Sequence, residues 1–198
     1  MLAQLQRQQR DEQILLSLDK LTYATREQLQ IINNLGGDRN AQRILARMEK
    51  DKLLLSARLE KKIYYLSNRG KQLIGSNQGQ LNKKEVAHAL MRNDLYIKLG
   101  MPKDWKKERP VTWGENKLIP DATFKRNGEF YFIEIDNQQT MSTNKDKILK
   151  YKDLSYVIHQ QYNHRPTLIW YTLSLTRKKR LKELCEKSSI KYEIYGNM

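Results

Sequence analysis

Two amphipathic helical stretches meet at Gly36-Gly37 with room for nothing but a tight turn, and few folds join helices so closely. Upstream, Ile14, Leu15, Leu18 and Leu21 recur at helical spacing. Thr25-Arg-Glu-Gln28 has the form of a capping box and opens a second helix with Leu29, Ile32 and Leu35 on its apolar face. The glycines stop that helix, and Asp38 is the expected N-cap of a third, running to about Lys52. Leu53–Leu59 and Ile63–Leu66 then read as two strands around Glu60-Lys61-Lys62, and a short helical turn from Lys71 to Ile74 follows. Helix, helix, tight turn, helix and a cation-tipped hairpin make a winged helix-turn-helix.

On the third helix an advance of about 100° per residue places Arg43, Ala46 and Lys50 near Arg39, with Arg47 at the margin. Ala41, Ile44, Leu45 and Met48 fall on the opposite side. A helix of this kind fits the major groove, and Arg to guanine or Asn and Gln to adenine are the favoured pairings. Arg39, Asn40, Gln42 and Arg43 are therefore the candidates for reading bases. Arg47 and Lys50, with Lys61 and Lys62 of the wing, are the candidates for phosphates.

Charge supports a polyanionic partner. The chain's 37 Lys and Arg against 22 Asp and Glu give +15 over 198 residues. The excess is divided between residues 1 to 75 and the remainder, so neither half is exempt. No apolar run approaches the roughly 18 residues of a membrane span, and no leader pattern opens the chain. Cys185 is the only cysteine, which excludes an internal disulfide and fits a cytoplasmic protein. It shares an amphipathic helix with Leu181 and Leu184, so burial is expected of it.

The polar stretch Gly75-Ser-Asn-Gln-Gly-Gln80 sets the expected division: a DNA-binding domain over 1–75, a linker over 76–82 and a second domain over 83–198. The second begins with a helix at about Lys83 to Leu99. Strands follow at Pro110–Trp113, Leu118–Lys125 and Glu129–Asp136, the last two joined by an Arg126-Asn127-Gly128 turn. A helix from Thr143 to Gln160, a strand from Thr167 to Leu173, a basic helix from Thr176 to Lys187 and a strand from Ile190 to Tyr195 complete it. This order predicts a mixed sheet flanked by helices, α/β in the domain and α+β overall.

That sheet brings acids together. Glu134 and Asp136, two apart, share a face, and Asp121 on the neighbouring strand can reach them. Clustered carboxylates need a cation, and two readings stand side by side: a divalent metal on Asp121, Glu134 and Asp136, or pairing with nearby lysines. Mg²⁺ or Mn²⁺ would suit oxygen ligands and a phosphodiester substrate. Lys147 and Tyr151, four apart on the next helix, and Lys150 beside them would stabilise charge or simply neutralise the acids.

These pieces, in their order from about Ile14 to Tyr151, resemble the replication-relaxation family of plasmids and related mobile elements. Arg43-Ile-Leu-Ala-Arg-Met-Glu-Lys-Asp-Lys-Leu53 and Tyr64-Tyr-Leu-Ser67 with Gly70 resemble its winged-helix core and wing end. Ala87-His88 to Asp94, Pro120-Asp121-Ala122, Phe132-Ile-Glu-Ile-Asp136 and Lys147-Ile-Leu-Lys-Tyr151 resemble its later motifs. The second half is also similar to the PD-(D/E)XK restriction-endonuclease-like superfamily, in which two acids bind magnesium and a lysine follows two residues after the second. Here Asp136 stands at that lysine position, while Lys147 and Tyr151 resemble the helix-borne element of exonuclease-like branches. The resemblance implies a double-stranded-DNA-binding protein acting with plasmid replication or transfer proteins. One short recognition helix buries limited surface, so a homodimer on paired half-sites is expected, and the lack of a spanning segment argues against a membrane partner. The resemblance also implies a nuclease-like domain that has lost efficient cutting. A magnesium-dependent endonuclease or nickase using Asp121, Glu134, Asp136, Lys147, Lys150 and Tyr151 is the enzymatic alternative, and a transcriptional repressor the third.

Overall fold

The computed structural model describes residues 1–196. The chain divides into two compact units, Met1–Lys98 and Leu99–Met198.

In the first unit, α1 (Leu2–Leu21) buries Ile14, Leu15, Leu18 and Leu21, while residues 2 to 9 are exposed. After β1 (Ala24–Thr25), α2 (Arg26–Ile32) opens with the expected reciprocal cap: Gln28 N donates to Thr25 Oγ1 and Thr25 N to Gln28 Oε1, both 3.2 Å. Gly36 turns the chain at φ 71°, a left-handed conformation that favours glycine. The third helix, α3 (Asp38–Lys50), is capped by the backbone of Gly37 and not by Asp38. Arg26 and Gln30 of α2 draw the Asp38 carboxylate to themselves at 3.3 and 3.1 Å. The helix stops short of Lys52, whose φ of 56° leads the chain out.

The strands β2 (Leu54–Arg58) and β3 (Lys62–Leu66) pair antiparallel from Leu54 opposite Leu66 to Arg58 opposite Lys62. Ala24 pairs with Tyr64, giving a sheet of order β1-β3-β2. The following helix, α4 (Asn68–Ile74), starts earlier than expected because Ser67 Oγ accepts from Gly70 N at 2.9 Å. Gly70 lies so close to the chain entering β2 that a Cβ there would meet Leu53 O at 2.2 Å.

Helix α5 (Lys83–Lys98), expected to open the second domain, belongs to the first unit. Val86 and Ala89 pack with Tyr23 and Ile63. Gln28 Nε2 donates to Asp94 Oδ1 at 2.7 Å, and Asn93 Nδ2 to Tyr23 O at 2.6 Å. The intervening 76–82 segment is held down as well: Gln78 Nε2 donates to Leu18 O at 3.1 Å and Asn82 N to Tyr23 Oη at 2.9 Å.

The second unit carries a five-stranded mixed sheet of order β10-β9-β8-β7-β4. Its strands are β4 (Lys106–Lys107), β7 (Ala122–Arg126), β8 (Glu129–Ile135), β9 (Thr167–Tyr171) and β10 (Tyr192–Tyr195), with β5 (Val111–Trp113) and β6 (Asn116–Leu118) forming a separate hairpin. The expected strand Leu118–Lys125 is thus two strands. Pro120 lacks the amide a ladder needs, and the chain breaks there. For the same reason Val111–Trp113 pairs with β6 and not with the main sheet. The edge strand β4 is only two lysines, too short and too polar to stand out in the sequence.

Asn127 and Gly128, at φ 52° and 83°, form the two-residue turn between β7 and β8. Strands β8, β9 and β10 run parallel, and β9 is buried along its whole length, as parallel strands are. Helices α6 (Met141–Tyr162) and α7 (Leu175–Ser188) cover the face bearing Phe132, Leu168 and Trp170, through Ile148, Tyr151, Leu154, Ile158, Leu181 and Cys185. Cys185 is buried as expected, and burial pushes its thiol up to about 12. The fold is α+β, with the mixed sheet flanked by helices.

Candidate nucleic-acid interface and acidic cluster

The exposed side of α3 is set by the burial of Ala41, Ile44, Leu45 and Met48. Arg39, Gln42, Arg43 and Lys50 consequently face solvent, as does Lys61 at the hairpin tip. A cleft of about 530 Å³ runs between α3 and the hairpin, with Gln42 and Ala46 on one wall and Arg58, Lys61, Lys62 and Tyr64 on the other. Arg26 and Glu27, paired at the start of α2, and Glu60 at the hairpin tip also line it. Arg26 and Arg58 were not among the residues singled out by pattern. Arg58 is the last residue of β2, and only the hairpin register brings it to the cleft.

Four expected contact residues have partners within the fold. Asn40 Nδ2 donates to Leu35 O at 2.8 Å, closing the turn, and its Oδ1 accepts from Arg43 Nη2 at 2.8 Å. Arg47 donates to Asp11 Oδ1 at 2.5 Å, so it ties α3 to α1. Lys62 pairs with Glu49 at 2.8 Å and lies 5.0 Å from the Tyr64 ring centroid; the Glu49 hydrogen bond raises the lysine's pKa. A helical wheel cannot foresee these, because the partners come from α1, the turn and α3's own inner edge.

In the second unit the β7–β8 register places Ala122 opposite Ile133, and its continuation sets Asp121 across from Glu134. Asp121 N donates to Ile133 O at 3.0 Å, and Asp121 Oδ2 accepts from Ile135 N at 2.6 Å, which holds the carboxylate against β8. Glu134 and Asp136 are buried to within 1 %. Both follow the strand alternation toward α6. There Asn144, Lys147 and Tyr151 occupy successive turns of one helix face.

Each acid has its own partners. Glu134 Oε2 accepts from Lys147 Nζ at 2.5 Å and Oε1 from Tyr151 Oη at 2.6 Å. Asp136 accepts from Arg177 Nε at 2.6 Å and from Asn144 Nδ2 at 2.7 Å, with Arg177 Nη2 donating as well. Asn144 and Arg177 escaped the sequence reading. Asn144 lies three before Lys147 and seven before Tyr151, a spacing that could have been noticed. Arg177 comes from the first turn of α7, and nothing local marks it. Lys150, expected with Lys147 and Tyr151, is exposed and turned from the cluster.

Burial, together with the neighbouring Asp121 charge, pushes the Glu134 carboxyl up to about 7 against the opposing pull of Lys147 and Tyr151. Tyr151 is raised well above its ordinary value by burial and by the Glu134 charge. As arranged, these donors do not fit a resident metal ion. Both Glu134 oxygens and both Asp136 oxygens already accept hydrogen bonds from side chains, three of them from cations. Among the described residues no group of three or more His, Cys, Asp or Glu side chains is arranged to hold one. Of the two readings of the acids, the geometry is that of pairing with cations.

The fold and these surfaces define a two-unit α+β protein, with an outward cationic helix in one unit and a buried, ion-paired acid cluster in the other. The family model for replication-relaxation matches residues 15–168, and the chain belongs to that family. None of the curated proteins matches it. Two solved structures are distantly similar. Can2 from Sulfobacillus thermosulfidooxidans, in complex with cyclic tetra-adenylate, has 14% identity and a TM-score of 0.37 over 96% of this chain and 48% of that one. Protein VC1899 from Vibrio cholerae has 11% identity and a TM-score of 0.34, over 96% and 52%. The chain spans about half the length of these structures, and likeness at this level carries no argument. No helix among the described residues is long and apolar enough to cross a membrane.

Proposed function

We propose that this protein binds double-stranded DNA through its first unit and serves the replication or relaxation of a plasmid or mobile element. In this reading α2, the Gly36 turn and α3 are a helix-turn-helix and β2–β3 its wing. Arg39, Gln42 and Arg43 read the major groove, while Lys50, Lys61 and Arg58 hold phosphates. The observation that carries it is the cleft between α3 and the hairpin, where Gln42 of α3 faces Arg58, Lys61 and Lys62 of the hairpin, with Arg39, Arg43 and Lys50 exposed on the same helix. Paired half-sites would make the binding form a homodimer, because one short recognition helix contacts little of a duplex.

The second unit, in the same reading, is a nuclease-like domain that does not cut efficiently. Asp136 stands where a water-activating lysine would be expected and is neutralised by Arg177. Lys147, which could replace that lysine, is committed to Glu134. Nicking of supercoiled plasmid in magnesium or manganese, abolished by Glu134→Gln, would transfer the assignment to an endonuclease.

A gel-shift salt titration on element-derived duplex tests the binding. Affinity is expected to fall with salt, with a log–log slope of about −0.9 per phosphate neutralised. Replacing Lys50 and Lys61 with alanine should reduce the magnitude of that slope by about one for each phosphate that no longer meets a lysine. Affinity indifferent to salt, or untouched by Arg39→Ala with Arg43→Ala, would refute the reading.

A further inference from the structure

Beside the acid cluster, on the same face of the second unit's sheet, lies a cavity of about 700 Å³ between β7, β8, the β5–β6 hairpin and the C-terminal half of α6. Thr123 and Phe132 line it, each two residues along its strand from Asp121 and Glu134, or about 7 Å. Its volume falls in the range of pockets that enclose one small organic group. The walls are aromatic. Trp113 comes from the end of β5, Phe130 and Phe132 from β8, and Tyr162 from the last turn of α6.

These rings are not equivalent. Phe132 is core, and Phe130 is already covered, with His164 stacked at 5.4 Å and Lys125 Nζ 4.2 Å from its centroid. Trp113 is half-buried, and no aromatic ring among the described residues stacks on it. Tyr162 is 56 % exposed and meets Phe130 only edge-on, at 5.2 Å. Two lysines, Lys106 and Lys125, stand at the same mouth. The nearby acid, Asp104, accepts from the backbone N of Lys125 at 2.8 Å. A flat apolar wall beside lysines and the uncharged donors Thr112 and Gln161 matches a base joined to phosphate.

We propose that this pocket takes one unstacked base of single-stranded DNA, stacked on Trp113 and Tyr162, with its backbone phosphates on Lys106 and Lys125. A paired base must be unstacked and unpaired before it enters, at a cost of about a few kcal/mol, so a strand that is already single is the favoured occupant. The inference deepens the proposed function and rests on it for the choice of DNA as the polymer. It assigns the second unit the opened strand, a role separate from the duplex contacts of α3.

The test uses the full chain and a short oligothymidylate, with an abasic oligonucleotide of equal length as the probe for backbone alone. Oligothymidylate is expected to quench tryptophan emission and to bind more tightly than the abasic strand. Trp113→Ala is expected to lose the quench and at least about five-fold in affinity, the lower end of base–aromatic stacking. Tyr162→Ala, at an exposed position, is expected to weaken binding while melting like the unaltered protein, and it decides the matter if Trp113→Ala fails to fold. Equal affinity for the abasic strand, or affinity unchanged in Tyr162→Ala, overturns the proposal. Arg39→Ala with Arg43→Ala is expected to leave single-strand binding intact. Loss of duplex binding without loss of oligothymidylate binding, or the reverse, shows which of the two readings has failed.

Discussion

Replacing Glu134 with glutamine removes a titration that burial has displaced, and the consequence appears as a changed dependence of stability on pH. Below pH 4.5 the carboxyl is protonated in the folded and the unfolded chain alike. Between 4.5 and about 7 the unfolded chain ionises while the folded one lags, so the unfolded state binds fewer protons and stability falls as pH rises. The contribution is complete below 4.5 and lost above about 7. At about 1.4 kcal/mol per pH unit, that interval corresponds to about 3 kcal/mol. Glutamine cannot ionise, so the stability of Glu134→Gln relative to the unaltered protein should rise by about 3 kcal/mol across the interval, whatever constant offset its altered hydrogen bonds impose.

All three tryptophans, Trp105, Trp113 and Trp170, lie in the second unit, and Trp170 is the register partner of Glu134 on β9. Urea unfolding followed by tryptophan emission, repeated from about pH 4.5 to about pH 8, therefore reports the unit in question. A difference between the two proteins that stays constant over that range would refute the reasoning. It would mean that Lys147 and Tyr151 hold Glu134 ionised in spite of its burial.

Two further outcomes follow from the first unit. Gly70→Ala should destabilise it by about 1–3 kcal/mol although alanine is the better helix former, because the new methyl meets Leu53 O; an unchanged far-ultraviolet melting curve would contradict that. Arg47→Ala should cost about 1.5–3 kcal/mol by stripping the nearly buried Asp11 of its closest cation, whereas Arg43→Ala should leave the melting temperature unchanged and weaken duplex binding.

Where the sequence was informative, the cause was local. The Thr25–Gln28 cap, the glycine turn, the α3 wheel and the Asn127-Gly128 hairpin each depend on residues within a few positions of one another, and each stands in the structure as read. The acids were legible for the same reason, since strand alternation alone puts Glu134 and Asp136 on one face. The errors lie where the partner is remote. Asp38 is not a cap because Arg26 and Gln30 of another helix hold it, and Arg47 is a strut because Asp11 lies 36 residues away.

What the sequence alone determined is the order of the longer helices and strands, the basic character of the third helix and the grouping of Glu134 and Asp136 on one face. Periodicity and charge are properties of neighbouring residues and need no tertiary contact to exist. Tertiary structure decided that α5 packs in the first unit, that Arg177 neutralises Asp136 while Asn144 hydrogen-bonds it, and that Lys147 rather than Lys150 meets Glu134. A buried charge must be matched by whatever side chain the packing brings within hydrogen-bonding distance, and that choice is made in space, not along the chain.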